Sequence, residues 1–88
     1  MKWNYRVCVR PSSGFVTMQI HEVYYDKYGM IEYYSKNPIA PLGDDERELF
    51  EDMTLMMNAL DKAVLNLDHL DKVFKQKKLQ DKRKENKK

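Results

Sequence analysis

The chain predicts a small α+β domain: a three-stranded antiparallel meander packed on one amphipathic helix, with a short fourth strand and a short C-terminal helix. Three observations carry this expectation. Apolar side chains near the N-terminus alternate at period two, glycine-bearing turns separate the alternating stretches, and from residue 45 onward the apolar residues switch to helical spacing. A chain of 88 residues has room for one hydrophobic core.

The elements follow in order. Trp3, Tyr5, Val7 and Val9 alternate with Asn4, Arg6, Cys8 and Arg10, which makes a first strand with one apolar face. Pro11-Ser12-Ser13-Gly14 supplies turn chemistry, since proline presets φ and glycine accepts the left-handed conformation. Residues 15–25 read as a longer second strand, with Val16, Met18 and Ile20 on one face. Its alternation breaks around Glu22, where Val23, Tyr24 and Tyr25 run together, and a bulge is expected there. Asp26-Lys27-Tyr28-Gly29 reads as a hairpin loop closing with Gly29 left-handed, and residues 30–35 as the third strand. Pairing Tyr25 with Met30 would set Glu22 opposite Tyr33 and His21 opposite Tyr34.

Two prolines, Pro38 and Pro41, favour an extended connection. The helix then begins, with Asp44 or Asp45 as N-cap and Glu48 three residues after Asp45 in a capping-box arrangement. Leu49, Phe50, Met53, Met56, Met57, Leu60, Ala63 and Val64 fall on an arc of roughly 140°, with Leu55 outside it. This stripe, including the Met53, Met56 and Met57 cluster, is the side expected to cover the sheet. Residues 63–67 suggest the short fourth strand. Asp68 then reads as the N-cap of a second helix carrying His69, Leu70, Val73 and Phe74.

Charge divides the chain. From Lys75 to the end there are eight basic residues against Asp81 and Glu85, a net +6, while the other 74 residues carry eight basic and twelve acidic groups, a net −4. Residues 1–74 are therefore expected to form the compact domain, and residues 75–88 a basic tail that is a frayed helix end or disordered. The apolar runs are too short for a membrane span, and residues 1–6 lack the apolar core of a secretory signal, which points to the cytoplasm and to no membrane partner. The single cysteine, Cys8, excludes an internal disulfide and a cysteine-based zinc site.

The residues offer little that suggests chemistry. Adjacent strand residues His21 and Glu22 point to opposite faces and cannot act as a pair, so surface or edge positions are expected for them. His69 between Asp68 and Asp71 resembles a metal-ligand set, but carboxylates at a helix start have an ordinary capping role. Cys8 has no histidine partner and is at most a partly exposed thiol. Glycine-rich phosphate loops and nucleophile elbows are absent, so no catalytic residue, metal or cofactor is assigned and the chain is read as no enzyme. RNase H-like hydrolysis would need gathered carboxylates, whereas seven of the body's acids lie between Asp44 and Asp61 along one helix. The tyrosines carry more weight. Tyr24, Tyr25, Tyr28, Tyr33 and Tyr34 cluster around one hairpin, and with Trp3 they are the candidate partner-binding residues, since tyrosine presents apolar area and a hydroxyl at low entropic cost. Their plain alternative is β-propensity with edge packing.

A short meander, a glycine-bearing turn and a capped amphipathic helix opening Gly43-Asp44-Asp45-Glu46-Arg47-Glu48-Leu49 resemble the N-terminal domain of HicB-like antitoxins, over roughly residues 3–62. The run Ile20-His21-Glu22-Val23-Tyr24-Tyr25-Asp26 with Gly29, Asn37-Pro38 and Pro41-x-Gly43 is similar to a group of small bacterial and phage proteins of that kind. The resemblance implies a partial RNase H-like fold. It departs at two places: Pro38-Ile39-Ala40-Pro41-Leu42 stands where those domains often carry Pro-Gly-Cys, and the basic tail is too short for a helix-turn-helix. The expected function is a non-catalytic protein-binding module, an antitoxin-like or phage-type inhibitor or adaptor acting by stoichiometric contact. Self-association into a homodimer is compatible with it, because an open sheet leaves edges to be paired. The alternative is a small nucleic-acid-binding protein that uses Lys75, Lys77, Lys78, Lys82, Arg83 and Lys84 of the tail.

Overall fold

The computed structural model describes residues 2–14 and 17–85, with side chains to Lys77. Phe15 and Val16, expected to begin the second strand, lie outside the described residues. The fold is α+β: a mixed sheet of four strands with two helices. In chain order these are β1 (Lys2–Val9), β2 (Gln19–Tyr25), β3 (Ile31–Tyr34), α1 (Glu46–Asn58), β4 (Leu65–Asn66) and α2 (Leu67–Glu85). The sheet order is β3-β2-β1-β4. β2 runs antiparallel to both β1 and β3, while β4 lies parallel to β1, pairing Cys8 with Leu65 and Val9 with Asn66.

Local signals set the turns. Gly14 closes a 3₁₀ turn over Pro11–Ser13 with φ of 85°, and Gly29 closes the hairpin loop with φ of 80°. The Asp26 carboxylate holds that loop by accepting from the backbone N–H groups of Tyr28 and Met30. The register beyond it differs from the simple hairpin. Tyr25 pairs with Ile31, but Tyr24 pairs with Tyr33 and Val23 with Tyr34, so Glu32 is an extra residue. The bulge therefore sits on β3, opposite Tyr24 and Tyr25, and it shifts the expected partners of Glu22 and His21. Ile31 and Tyr34 consequently reach the same side of the sheet.

Both faces of the sheet are covered. On one, Tyr5 and Val7 pack with Met56 and Ala59 of the α1 segment, flanked by Ile20 and Ile39. On the other, Cys8, Val23 and Leu67 form a second core with Tyr25, Ile31, Tyr34, Leu65 and Leu70. The sequence pattern anticipated one buried face and one covering helix. The second core arises because Leu67 and Leu70 at the start of α2, with Leu65 of β4, pack on the face that Cys8 and Val23 share; α2 is 19 residues long, not the short helix expected. Asn66 starts it: its side-chain oxygen accepts from the His69 N–H, so Asn66 caps this helix and Asp68 does not. The backbone of α2 runs as helix from Leu67 to Glu85, across the point where the tail was expected to begin.

α1 begins as expected. The Asp45 side chain accepts from the Glu48 N–H at 2.8 Å, and the Glu48 carboxylate accepts from the Asp44 N–H at 2.9 Å. Gly43 permits the chain to turn in beneath this end, since a Cβ there would collide with the Leu49 backbone nitrogen. The helix seats differently from the expected stripe. Of the α1 side chains only Met56 is buried, and Ala59 follows it in a 3₁₀ continuation over Ala59–Asp61. Leu49, Phe50, Met53, Met57 and Leu60 are exposed, so the methionine cluster is not a core cluster. The reason is a polar anchor on the adjoining face. Tyr5 donates to Asp52 at 2.6 Å, and the other oxygen of Asp52 accepts from the Leu42 N–H at 2.8 Å. The small Ala59 lets that same side approach β1 closely.

Candidate protein-binding surface

On the α1 side of the sheet, cross-strand pairing brings three aromatic residues into one row. Trp3 faces Tyr24 across β1 and β2, and Tyr24 faces Tyr33 across β2 and β3. Tyr24 and Tyr33 stack with centroids 4.5 Å apart, Trp3 lies 6.4 Å from Tyr24, and Tyr5 meets Trp3 edge-on at 5.1 Å. α1 covers only the Tyr5 and Val7 end of this face. Trp3 and Tyr33 stay exposed, while Tyr24 is half-buried.

Hydrogen bonds hold the row. The Tyr24 hydroxyl donates to Glu22 at 2.5 Å, and this bond to a carboxylate holds the phenol above its usual pKa. Burial and then the bond to Asp52 raise the Tyr5 phenol further. Both hydroxyls thus stay protonated donors at neutral pH, each occupied by a carboxylate. Beside the row, Trp3, Tyr5 and Leu55 line clefts of about 400 and 580 Å³ between the sheet and α1. Leu55, placed outside the apolar stripe by its spacing, is the helix residue that walls both.

The hairpin tyrosines do not form one surface. Tyr25 and Tyr34 lie on the opposite face, half-buried under α2. Tyr25 donates to Asn4 at 2.8 Å and accepts from Arg6 at 3.2 Å. Tyr34 donates to Asp71 at 2.5 Å, accepts from Arg10 at 2.6 Å, and stacks on Phe74. Tyr28 stands at the hairpin tip, 78% exposed, with the Lys27 ammonium 5.2 Å from its ring centre. Strand alternation alone predicts that Tyr24 and Tyr25 diverge. The bulge on β3, with no local signature, decides that Tyr33 joins the row and Tyr34 does not.

The reactive side chains of the sequence have structural surroundings. His21 is buried, against the surface or edge position expected of it, and its Nδ1 lies 2.8 Å from the Ser35 carbonyl. Glu22 is on the other face, bonded to Tyr24. Cys8 is 1% exposed, not a partly exposed thiol, and desolvation pushes its pKa up to about 11 against a smaller lowering by Arg6. Asp68 and Asp71 clasp Arg10 at 2.9 and 2.8 Å, and Asp68 also accepts from the Ser12 N–H and hydroxyl. The Ser12 bonds foremost, and for Asp71 the Tyr34 hydroxyl, hold these carboxyls below the ordinary range. The clasp fastens the start of α2 to the end of β1. His69 is exposed and apart from it.

Among the described residues, no group of three or more histidine, cysteine and acidic side chains is placed to hold a metal ion, and no helix is long and apolar enough to cross a membrane. Of the tail cations, Lys75 and Lys77 are exposed on α2, while the side chains of Lys78, Lys82, Arg83 and Lys84 lie outside the described residues. No protein-family model, curated protein or solved structure matches the chain.

Proposed function

We propose that the chain is a non-catalytic protein-binding module, antitoxin-like or of the phage inhibitor and adaptor type, that acts by stoichiometric contact with another protein. The observation that carries this reading is the Trp3–Tyr24–Tyr33 row beside the Leu55 clefts. It joins exposed aromatic area, the Tyr24 hydroxyl already held by Glu22 and an adjoining concave edge, which are the components of an interface centre. The engagement of His21, Cys8, Asp68 and Asp71 in packing and clasping supports the non-catalytic part. Kinship with HicB-like antitoxin domains belongs to the same proposal and rests on the order of meander and capped helix.

Tagged full-length protein is expected to recover one protein from native extract at near-stoichiometric yield, with or without nuclease. Trp3→Ala combined with Tyr33→Ala abolishes that recovery, and Lys75→Glu with Lys77→Glu leaves it intact. The exposure of Lys75 and Lys77 on a continuous helix favours one second reading, contact with a nucleic-acid backbone. Under that reading the pattern inverts: recovery needs the lysines, disappears with nuclease and falls steeply with salt.

A further inference from the structure

We propose that the outer side of α1 is a self-association surface on which a second copy of this chain packs its own α1, antiparallel and about a two-fold axis. Phe50, Met53, Met57 and Leu60 follow a three-four-three spacing, the pattern of a helix–helix seam. The sheet does not take this seam. Phe50 and Leu60 are each 71% exposed and Met57 67%, while the side against β1 is made by Asp52, Met56 and Ala59. At 100° per residue through α1, and about 120° through the 3₁₀ continuation that carries Ala59 and Leu60, the seam is centred roughly 115° around from that buried side, and well away from Leu55. The surface is therefore separate from the aromatic row and its clefts.

Its size permits a second copy and its charge selects one. Since long apolar and aromatic side chains carry roughly 150–250 Å² each, the exposed parts of the seam residues with Leu49 amount to about 500 Å² per copy. A patch of that size lies within the roughly 300–600 Å² that the largest patch of a monomer reaches, and two of them facing each other give the roughly 1,000 Å² in total at which specific interfaces begin, so the charge decides the occupant. Between Asp44 and Asp61 stand seven acidic residues and one cation, Arg47. A parallel pairing would set the acidic first turns, with Glu46 and Glu48, side by side. The antiparallel pairing separates them. It layers Phe50 of one copy on Leu60 of the other and Met53 on Met57, a register that is its own reciprocal, as a two-fold interface requires. In that register Arg47 and Asp61, which flank the seam on its solvent side, meet across the axis twice. The sole cation of the segment thus finds an acid on the second copy, in place of its i,i+4 contact with Glu51 at 3.5 Å, which is largely solvated.

Sedimentation equilibrium of the full chain tests this, with circular dichroism to verify the fold of every variant. The wild-type chain is expected to be a dimer. R47D and D61R, each alone, place like charges at both crossings and weaken dimerisation by about tenfold in Kd. Mixed one to one, the two variants form a heterodimer of wild-type strength, because opposite charges then face each other at both crossings, one in the native order and one exchanged. Phe50→Glu with Leu60→Glu gives a folded monomer. A wild-type chain that stays monomeric, a dimer indifferent to both charge reversals, or a mixture no tighter than its components overturns the proposal.

Discussion

The two faces of the sheet are built on different terms. The face under α2 is sealed by side chains from four strands and a helix, with Val23 completely buried, and is closed at one end by Arg10 held between Asp68, Asp71 and Tyr34. The face under α1 is seated by one anchor, Tyr5 on Asp52, and a small contact of Met56 and Ala59, which leaves the aromatic row on one side of the helix and the seam on the other. The first face is closed. The second leaves apolar side chains exposed on both sides of its helix.

The sharpest test contrasts Leu67 with Phe50. Leu67→Ala empties a position in the sealed core and is expected to cost about 2–5 kcal/mol in denaturant unfolding. Phe50→Ala, in protein diluted enough to be monomeric, should shift stability by no more than about 0.5 kcal/mol, as surface changes do. Comparable losses at the two sites would erase the distinction between the faces.

Cys8 gives the next largest effect and reports on the sealed face directly. Its folded pKa of about 11 lies above that of an exposed thiol, so the unfolded state ionises first. The contribution of this group to stability is therefore complete below about pH 8.5 and is lost as pH rises toward 11. A thiol reagent at about pH 8, below the ordinary thiol range, should label Cys8 only at the rate of global unfolding. Labelling as fast as in a free peptide would show the face to be open.

The smallest effect belongs to the clasp. Asp68 and Asp71 have folded pKa values held below the ordinary carboxylate range, so their contribution is present above the usual value of about 3.9 and is lost as pH falls through the depressed values. Acid titration followed by the Tyr34 ring resonances should show α2 loosening in that window, before the core melts. Asp68→Asn with Asp71→Asn should remove the transition, since both titrating groups are then gone, and its persistence in that variant would locate it elsewhere.

Short-range patterns made much of this legible. Alternation marked β1, Gly14 and Gly29 marked the turns, and Asp45 with Glu48 marked the start of α1, because each signal lies within the few residues that it organises. Spacing also found the apolar stripe of α1, whereas the five hairpin tyrosines, read as one set, divide between the two faces and the hairpin tip. Neither the burial of His21 nor the bulge at Glu32 had such a signal.

What the amino-acid order determined by itself is therefore the set of elements, their turns and the cap of α1. Tertiary structure alone decided which side of α1 goes down, since that depends on Tyr5 reaching Asp52 across 47 residues, and that α2 covers a second face, since that depends on Arg10 meeting Asp68 and Asp71, 58 and 61 residues away. A stripe of Phe50, Met53, Met57 and Leu60 reads as core in any helix taken alone. Only the competing anchor on the adjoining side, invisible at helical spacing, turns it outward.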